Sequence, residues 1–282
     1  MQQLVVKKKI KFKEIDKLKS LVSDLGLHTI CIEAMCPNIS ECFSKKQATF
    51  LILGDICTRG CKFCNVKKGN PDKPDQDEPR RIREAVNRLR LEHVVITSPT
   101  RDDLVDGGAS FFYQTAVQIK QLSFVNFIEL LIPDFKADIG SIKKVAKGYP
   151  DIIGHNLETV SRLYQIRKGA GYQRSLSVLA KVKEVNPEIK TKSALILGLG
   201  EKKGEVVQAM QDLRKVDCDF LALGQYLAPR KSNYPVKRIV KDKEFNYYKQ
   251  KAYALGFLHV EAGTYVRSSY HADRYIKITN YK

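Results

Sequence analysis

Residues 48–66 read ATFLILGDICTRGCKFCNV, and the two halves of this stretch carry different information. The run TFLILG (49–54) is short, apolar and almost free of polar breaks, as expected for a strand buried on both faces of a parallel sheet. Directly after it come Cys57, Cys61 and Cys64, spaced C-x3-C-x2-C. Structural zinc is usually held by four ligands from paired C-x2-C knuckles, and a redox pair needs only two thiols. Three thiolates on one loop suit a [4Fe–4S] cluster with one iron left for an exogenous ligand.

Working outward, the same kind of strand recurs at HVVITS (93–98), NFIELLIP (126–133), DIIGHN (151–156), TKSALILGLG (191–200) and FLALGQYL (220–227). Helical periodicity separates most of these runs. In DEPRRIREAVNRLRL, Asp77 is placed to cap, Pro79 lies in the first turn, and Ile82, Ala85, Val86 and Leu89 form one stripe. A second helix carries Val206, Ala209, Met210 and Leu213; a third carries Phe245, Tyr248, Ala252 and Leu255, with Gly256 placed to end it. Six βα units argue an α/β fold, a partial (β/α)6 TIM-type barrel, with a doubly wound open sheet as the alternative. Either architecture gathers ligands at the C-terminal strand ends, where the polar or glycine-rich loops of this chain fall.

The 282 residues suffice for a substantial core, and no apolar run reaches the ~18 residues of a membrane span. The N-terminus lacks the apolar segment of a secretory signal, which points to a cytoplasmic location. Forty-nine Lys and Arg against thirty-one Asp and Glu give a formal charge of +18, which favours an acidic partner or serves solubility alone. No nucleic-acid-binding signature accompanies that charge, so neither nucleic acid nor membrane is expected as a partner. Six of the seven cysteines fall between residues 31 and 64, which speaks for metal rather than disulfides; Cys218 stands alone and reads as a small buried apolar residue.

The second cluster of cysteines is CIEAMCPNISEC, with Cys31, Cys36 and Cys42 spaced C-x4-C-x5-C. This trio is again one ligand short, and spacing alone leaves open its completion by Cys218. CTRGCKFC resembles the signature of the radical S-adenosylmethionine enzymes, and the Cys31/Cys36/Cys42 trio together with RSSY (267–270) resembles the lipoyl synthases in particular. The segments VVITSPTRDDLVDGGA, HNLETVSRLY, TKSALILGLGE, CDFLALGQYLAP and VRSSYHAD follow in the family's order, so the resemblance spans residues 30 to 275. It departs from the family pattern at Pro99, Thr100, Gly154, Thr264 and Tyr265, none of them an expected ligand.

The resemblance implies two [4Fe–4S] clusters and S-adenosyl-L-methionine. Cys57, Cys61 and Cys64 would hold the cluster at which S-adenosylmethionine is cleaved, with methionine's amino and carboxylate groups on its open iron. Cys31, Cys36 and Cys42, with Ser269 rather than Ser268 as fourth ligand, would hold a sacrificial auxiliary cluster. The reaction implied is insertion of two sulfur atoms at C6 and C8 of a protein-bound octanoyl-lysine, each carbon radical being made by a 5′-deoxyadenosyl radical.

Cofactor contacts implied in the same way are Asp106, Gly107 and Gly108, and Gly198; Asn156 and Glu158 ahead of His155, and Gln225, are candidates because they stand at strand ends, where polar cofactor contacts gather. Implied partners are octanoylated carriers (the glycine cleavage H protein and acyltransferase subunits of 2-oxoacid dehydrogenases), a flavodoxin- or ferredoxin-type electron donor, and an iron–sulfur carrier that rebuilds the cluster. The chain then divides into an N-terminal extension (1–46), the barrel (47–258) and a C-terminal extension (259–282). The lysine run KKKIKFKEIDKLK near the N-terminus reads as a solvated or disordered arm, or as a docking element for an acidic carrier.

Overall fold

Each of the six apolar runs becomes a strand. The computed structural model describes residues 12–45, 47–272 and 274–275. Its strands are β1 (His28–Thr29), β2 (Ala48–Leu51), β3 (Ile56–Cys57), β4 (Lys67–Lys68), β5 (His93–Thr97), β6 (Phe127–Leu131), β7 (Ile152–Gly154), β8 (Lys190–Leu197), β9 (Phe220–Gln225) and β10 (His259–Gly263). Strands β3 and β4 pair with each other, and the other eight form one sheet in the order β1-β2-β5-β6-β7-β8-β9-β10. Every pairing in that sheet is parallel except β1 with β2. The order never reverses. With right-handed crossovers this puts the helices on one face, which is barrel topology and not the two-faced doubly wound sheet.

The helices are α1 (Phe12–Asp24), α2 (Ile30–Glu33), α3 (Ile39–Ser44), α4 (Glu78–Leu89), α5 (Ala109–Lys120), α6 (Ile139–Ala146), α7 (Tyr172–Val185), α8 (Lys203–Lys215) and α9 (Asp242–Ala254). Ile82, Ala85 and Val86 of α4 pack with Val94, Ile96, Ile128 and Leu130 of the sheet. Val206, Ala209, Met210 and Leu213 of α8 pack with Leu195, Leu197, Leu221 and Leu223. Full burial of each such aliphatic side chain contributes about 1.5–3 kcal/mol.

The opposite face of the sheet is chemically different. Because strand residues alternate, Lys192 and Ala194 of β8, and Phe220, Ala222 and Gly224 of β9, point away from the helices. Lys192 meets Glu129 of β6 in a fully buried ion pair at 2.7 Å and lies over the Tyr275 ring. Ala194 and Ala222 pack against Val266, and a Cβ at Gly224 would come within 2.0 Å of the Val266 carbonyl oxygen. Small residues on this inner face thus make room for the segment that follows β10.

Three details differ from the sequence reading. A seventh parallel strand, β10, extends the sheet beyond the six apolar runs, its single inward glutamate (Glu261) masking the pattern. Asp77 sits at the N-cap of α4 but its carboxylate pairs with Arg80 instead of capping. Part of the supposed lysine arm is the helix α1; residues 7–11 of that run lie outside the described residues. Among the described residues no helix is long and apolar enough to cross a membrane.

Candidate metal centres

The Cys57–Cys64 loop leaves the sheet at the C-terminal end of β2 through a tight backbone turn. Leu53 there is left-handed, with φ 68°, a conformation that disfavours a branched side chain. The Glu78 carboxylate accepts from its N–H at 2.7 Å, and Arg101 donates to its carbonyl at 2.9 Å. Past that turn, β3 and β4 pair across the base of the loop, and the Gly69 N–H donates to the Cys57 carbonyl at 3.1 Å.

Arg59, between the first two cysteines, fastens the loop to two other strand ends. Its guanidinium donates to Asp102 at 2.6 and 2.8 Å and to Asp134 twice at 2.8 Å. Arg174 adds a bond to Asp134 at 2.8 Å. Although burial acts against it, the Arg59 guanidinium holds the Asp134 carboxyl well below the usual range. On the far side the Lys62 N–H donates to the Ile166 carbonyl and the Asn233 amide donates to the Cys64 carbonyl. Burial raises the Cys61 thiol, opposed by the nearby charge of Arg167, and pushes Cys64 up to about 12. Loading a metal on these thiols therefore releases protons.

The second trio is assembled from two distant parts of the chain. Cys31 lies in α2, whose Thr29 cap accepts from the Ile32 N–H; Cys36 lies in the following turn, and Cys42 in α3. All three line one cavity together with Arg267 and Ser269. Asn38 donates to the Tyr265 carbonyl at 2.6 Å and Tyr270 donates to Glu41 at 3.0 Å, tying the cysteine segment to the segment after β10. Burial, with the neighbouring Cys36 and Cys42, pushes Cys31 up to about 12.

The two adjacent serines separate cleanly. Ser268 donates to Asn156 Oδ1 at 2.9 Å, on the strand-end side, whereas Ser269 lines the cysteine cavity. Cys218 joins neither trio: it is buried among Leu213 and Leu221, its thiol donates to the Phe220 carbonyl, and burial pushes it up to about 12.

The remaining residues singled out from sequence divide in the same way. Asn156 and Glu158 stand together at the end of β7, the amide donating to the carboxylate at 3.0 Å, and burial raises the Glu158 carboxyl. His155 is a scaffold residue, its ring bonded to the Ile132 carbonyl and the Ser175 hydroxyl, and burial lowers it to about 4. Asp106 braces the turn before α5, accepting from the Ser110 hydroxyl, Lys144 and the Gly108 and Ser110 N–H groups; these bonds outweigh burial and hold it at about 2. Gly107 and Gly108 are left-handed, and a Cβ at either would collide with Phe135 or Leu53.

Gln225 is engaged by the fold. Its amide is fully buried and spent on the chain itself, donating to the Tyr226 and Arg238 carbonyls and accepting from the Val240 N–H. It braces the loop after β9, and Gly198 is left-handed at the point where a Cβ would strike that amide. Sequence reading missed Arg59, Arg101 and Asp134 because the carboxylates that Arg59 binds come from other strand ends.

The donor sets can be tested against the metals they suit. The ligand atoms around a single ion crowd within a few ångströms, and among the described residues only His28, Glu33 and Asp55 lie so close together, within 4.8 Å. Neither cysteine trio does. A cubane suits such spread thiols, since each binds a different iron.

A parallel, non-reversing sheet with a three-cysteine loop at its first C-terminal strand end is the arrangement of the radical S-adenosylmethionine enzymes. The profile described as "Radical SAM superfamily" matches residues 51–213, so a [4Fe–4S] cluster and S-adenosylmethionine are this chain's cofactors. Among solved structures, Streptococcus suis SuiB bound to S-adenosylmethionine aligns with TM-score 0.58 at 12% identity, covering 89% of this chain and 60% of that one, which speaks to the fold. The lipoyl synthase of Geotalea uraniireducens (strain Rf4) is 56% identical over 270 residues, 96% of this chain and 95% of that protein. That of Geotalea daltonii is 55% identical over 258 residues, 92% and 88% of the two chains. The chain belongs to the lipoyl synthase family.

Proposed function

We propose that this chain inserts two sulfur atoms, at C6 and C8, into an octanoyl group carried in amide linkage on a lysine of an acceptor protein. The observation that supports it best is the cavity shared by Cys31, Cys36, Cys42 and Ser269, with Ser268 turned away onto Asn156. In this reading those four residues hold an auxiliary [4Fe–4S] cluster, which is a substrate: it surrenders sulfide to the alkyl chain and is consumed. A serine oxygen is a harder and more readily protonated ligand than a thiolate, which suits a cluster that must come apart.

Cys57, Cys61 and Cys64 would hold the resident cluster. With S-adenosylmethionine bound, it supplies a 5′-deoxyadenosyl radical able to remove hydrogen from unactivated carbon. The protein's own part is placement. Arg59 and the β3–β4 ladder fix the loop, and Asn156 with Glu158 offers polar contacts at the end of β7. The left-handed Gly107–Gly108 turn lets backbone approach a bound cofactor closely. The segment carrying Ser268 and Ser269 stands between the two sites, so an alkyl chain lying along it would be within short reach of both.

The acceptors proposed are the glycine cleavage H protein and the acyltransferase subunits of 2-oxoacid dehydrogenases. Such domains are acidic, and a chain of charge +18 would gain association rate by steering. A flavodoxin- or ferredoxin-type donor and an iron–sulfur carrier would complete the cycle in a cytoplasm. Residues 1–46 and 259–282 together would serve the auxiliary site and 47–258 the radical site.

The test is iron and acid-labile sulfide per chain after anaerobic reconstitution, followed by an octanoyl-peptide sulfur-insertion assay. About eight irons and a doubly thiolated product are expected. About four irons, or S-adenosylmethionine cleavage with no sulfur in the peptide, would refute the reading.

A further inference from the structure

The cavity lined by the second cysteine trio holds one lysine or arginine, Arg267. Its seat is built. The guanidinium lies over Gly224 of β9, where a Cβ would come within 3.2 Å of Nη1. The head group carries five N–H donors, and the hydrogen bond it makes is from Nη1 to the carbonyl of its own neighbour, Val266, at 2.7 Å. Among the described residues no carboxylate comes within ion-pair distance of it. Glu158 and Cys36 face it from farther off.

A partly buried guanidinium without a carboxylate partner is costly unless an anion arrives to meet it. A cubane ligated by three thiolates and a serine oxygen carries net negative charge, and that charge too must be compensated away from bulk water. We propose that Arg267 is the counter-charge of the auxiliary cluster, donating hydrogen bonds to its sulfur-rich face and keeping its reduction potential up. Hydrogen bonds to cluster sulfurs and nearby positive charge both raise such potentials. Arg267 is thus a positioning and tuning residue that acts through the cluster. The inference rests on the two-cluster reading above.

The test compares the full chain with its Arg267→Gln and Arg267→Lys variants after reconstitution, using iron content and EPR-monitored redox titration. Adding S-adenosylmethionine perturbs the signal of the Cys57/Cys61/Cys64 cluster only, so the two clusters are told apart. With Gln, the auxiliary cluster is expected to titrate at a more negative potential while the resident cluster keeps its value; Lys restores most of the shift. Loss of the auxiliary cluster in Gln with retention in Lys supports the same conclusion. An unchanged potential in a fully loaded Gln variant overturns it, as does equal loss of the cluster in both variants, which would mean that shape and not charge matters. About four irons in the unaltered chain would instead refute the two-cluster reading itself.

Discussion

The two cysteine trios are built on opposite plans. Cys57, Cys61 and Cys64 sit on one short loop, braced from the ends of neighbouring strands by Arg59, Asp102 and Asp134. Cys31, Cys36 and Cys42 sit on a helical segment that owes its fourth proposed partner, Ser269, to the far end of the chain. One site is stiffened by buried charge on a continuous scaffold. The other is a seam between two terminal segments, closed by the Asn38–Tyr265 and Tyr270–Glu41 bonds. A centre that survives each turnover suits the first plan, and one that is dismantled and refilled suits the second.

The sharpest way to break this comparison is to remove one thiol from each trio. Cys57→Ala is expected to abolish S-adenosylmethionine cleavage. Cys36→Ala is expected to leave cleavage within about threefold of the unaltered chain while sulfur insertion disappears, each variant retaining about four irons. Equal loss of cleavage in both would show that the sites are not separable.

Next in size is Arg59→Met, which leaves the buried Asp134 with Arg174 as its remaining guanidinium partner and should cost about 3 kcal/mol in chemical denaturation, the low end for breaking a buried ion pair. Iron loss is expected from the first trio alone. Smaller still is Tyr270→Phe, which removes one hydrogen bond of the seam to the Glu41 carboxylate. It should cost about 1–2 kcal/mol and speed chelator removal of the auxiliary cluster without changing the resident one.

Of similar size to the seam bond is a pH dependence at Glu78, whose carboxyl is raised by burial to about 7. A carboxyl raised in the folded state destabilises as pH rises from its unfolded value near 4.5 to about 7, then levels off. Glu78→Gln still accepts from Leu53 and cannot ionise. Its stability relative to the unaltered chain should therefore improve by roughly 2 kcal/mol between pH 5 and pH 8 in thermal melts. A flat difference across that range would remove this account.

Much of the barrel was legible because strands buried on both faces write themselves as continuous apolar runs, and all six did. β10 was not, because its inward Glu261 breaks the run and is satisfied by His259 and Arg274. Thiols advertise a metal site in any sequence; a serine does not, and Ser269 was read only through resemblance. Gln225 shows what a strand-end position leaves open: in sequence its amide looks ligand-facing, and in the structure the Tyr226 and Arg238 carbonyls and the Val240 N–H engage it. Arg59 stayed silent because its carboxylates lie 43 and 75 residues away.

The seam also has a consequence in time. Its contacts join residues separated by 227 and 229 positions, and Ser269 is made only after every strand of the sheet. Closing so long a loop is among the slow, late events of folding. The three-cysteine loop and its two flanking strands can be complete while the ribosome is still adding residues, but the auxiliary site cannot exist until the C-terminal segment has threaded in beside β9. Truncation between the end of β10 and residue 269 would therefore be expected to yield a protein that still cleaves its cofactor and delivers no sulfur.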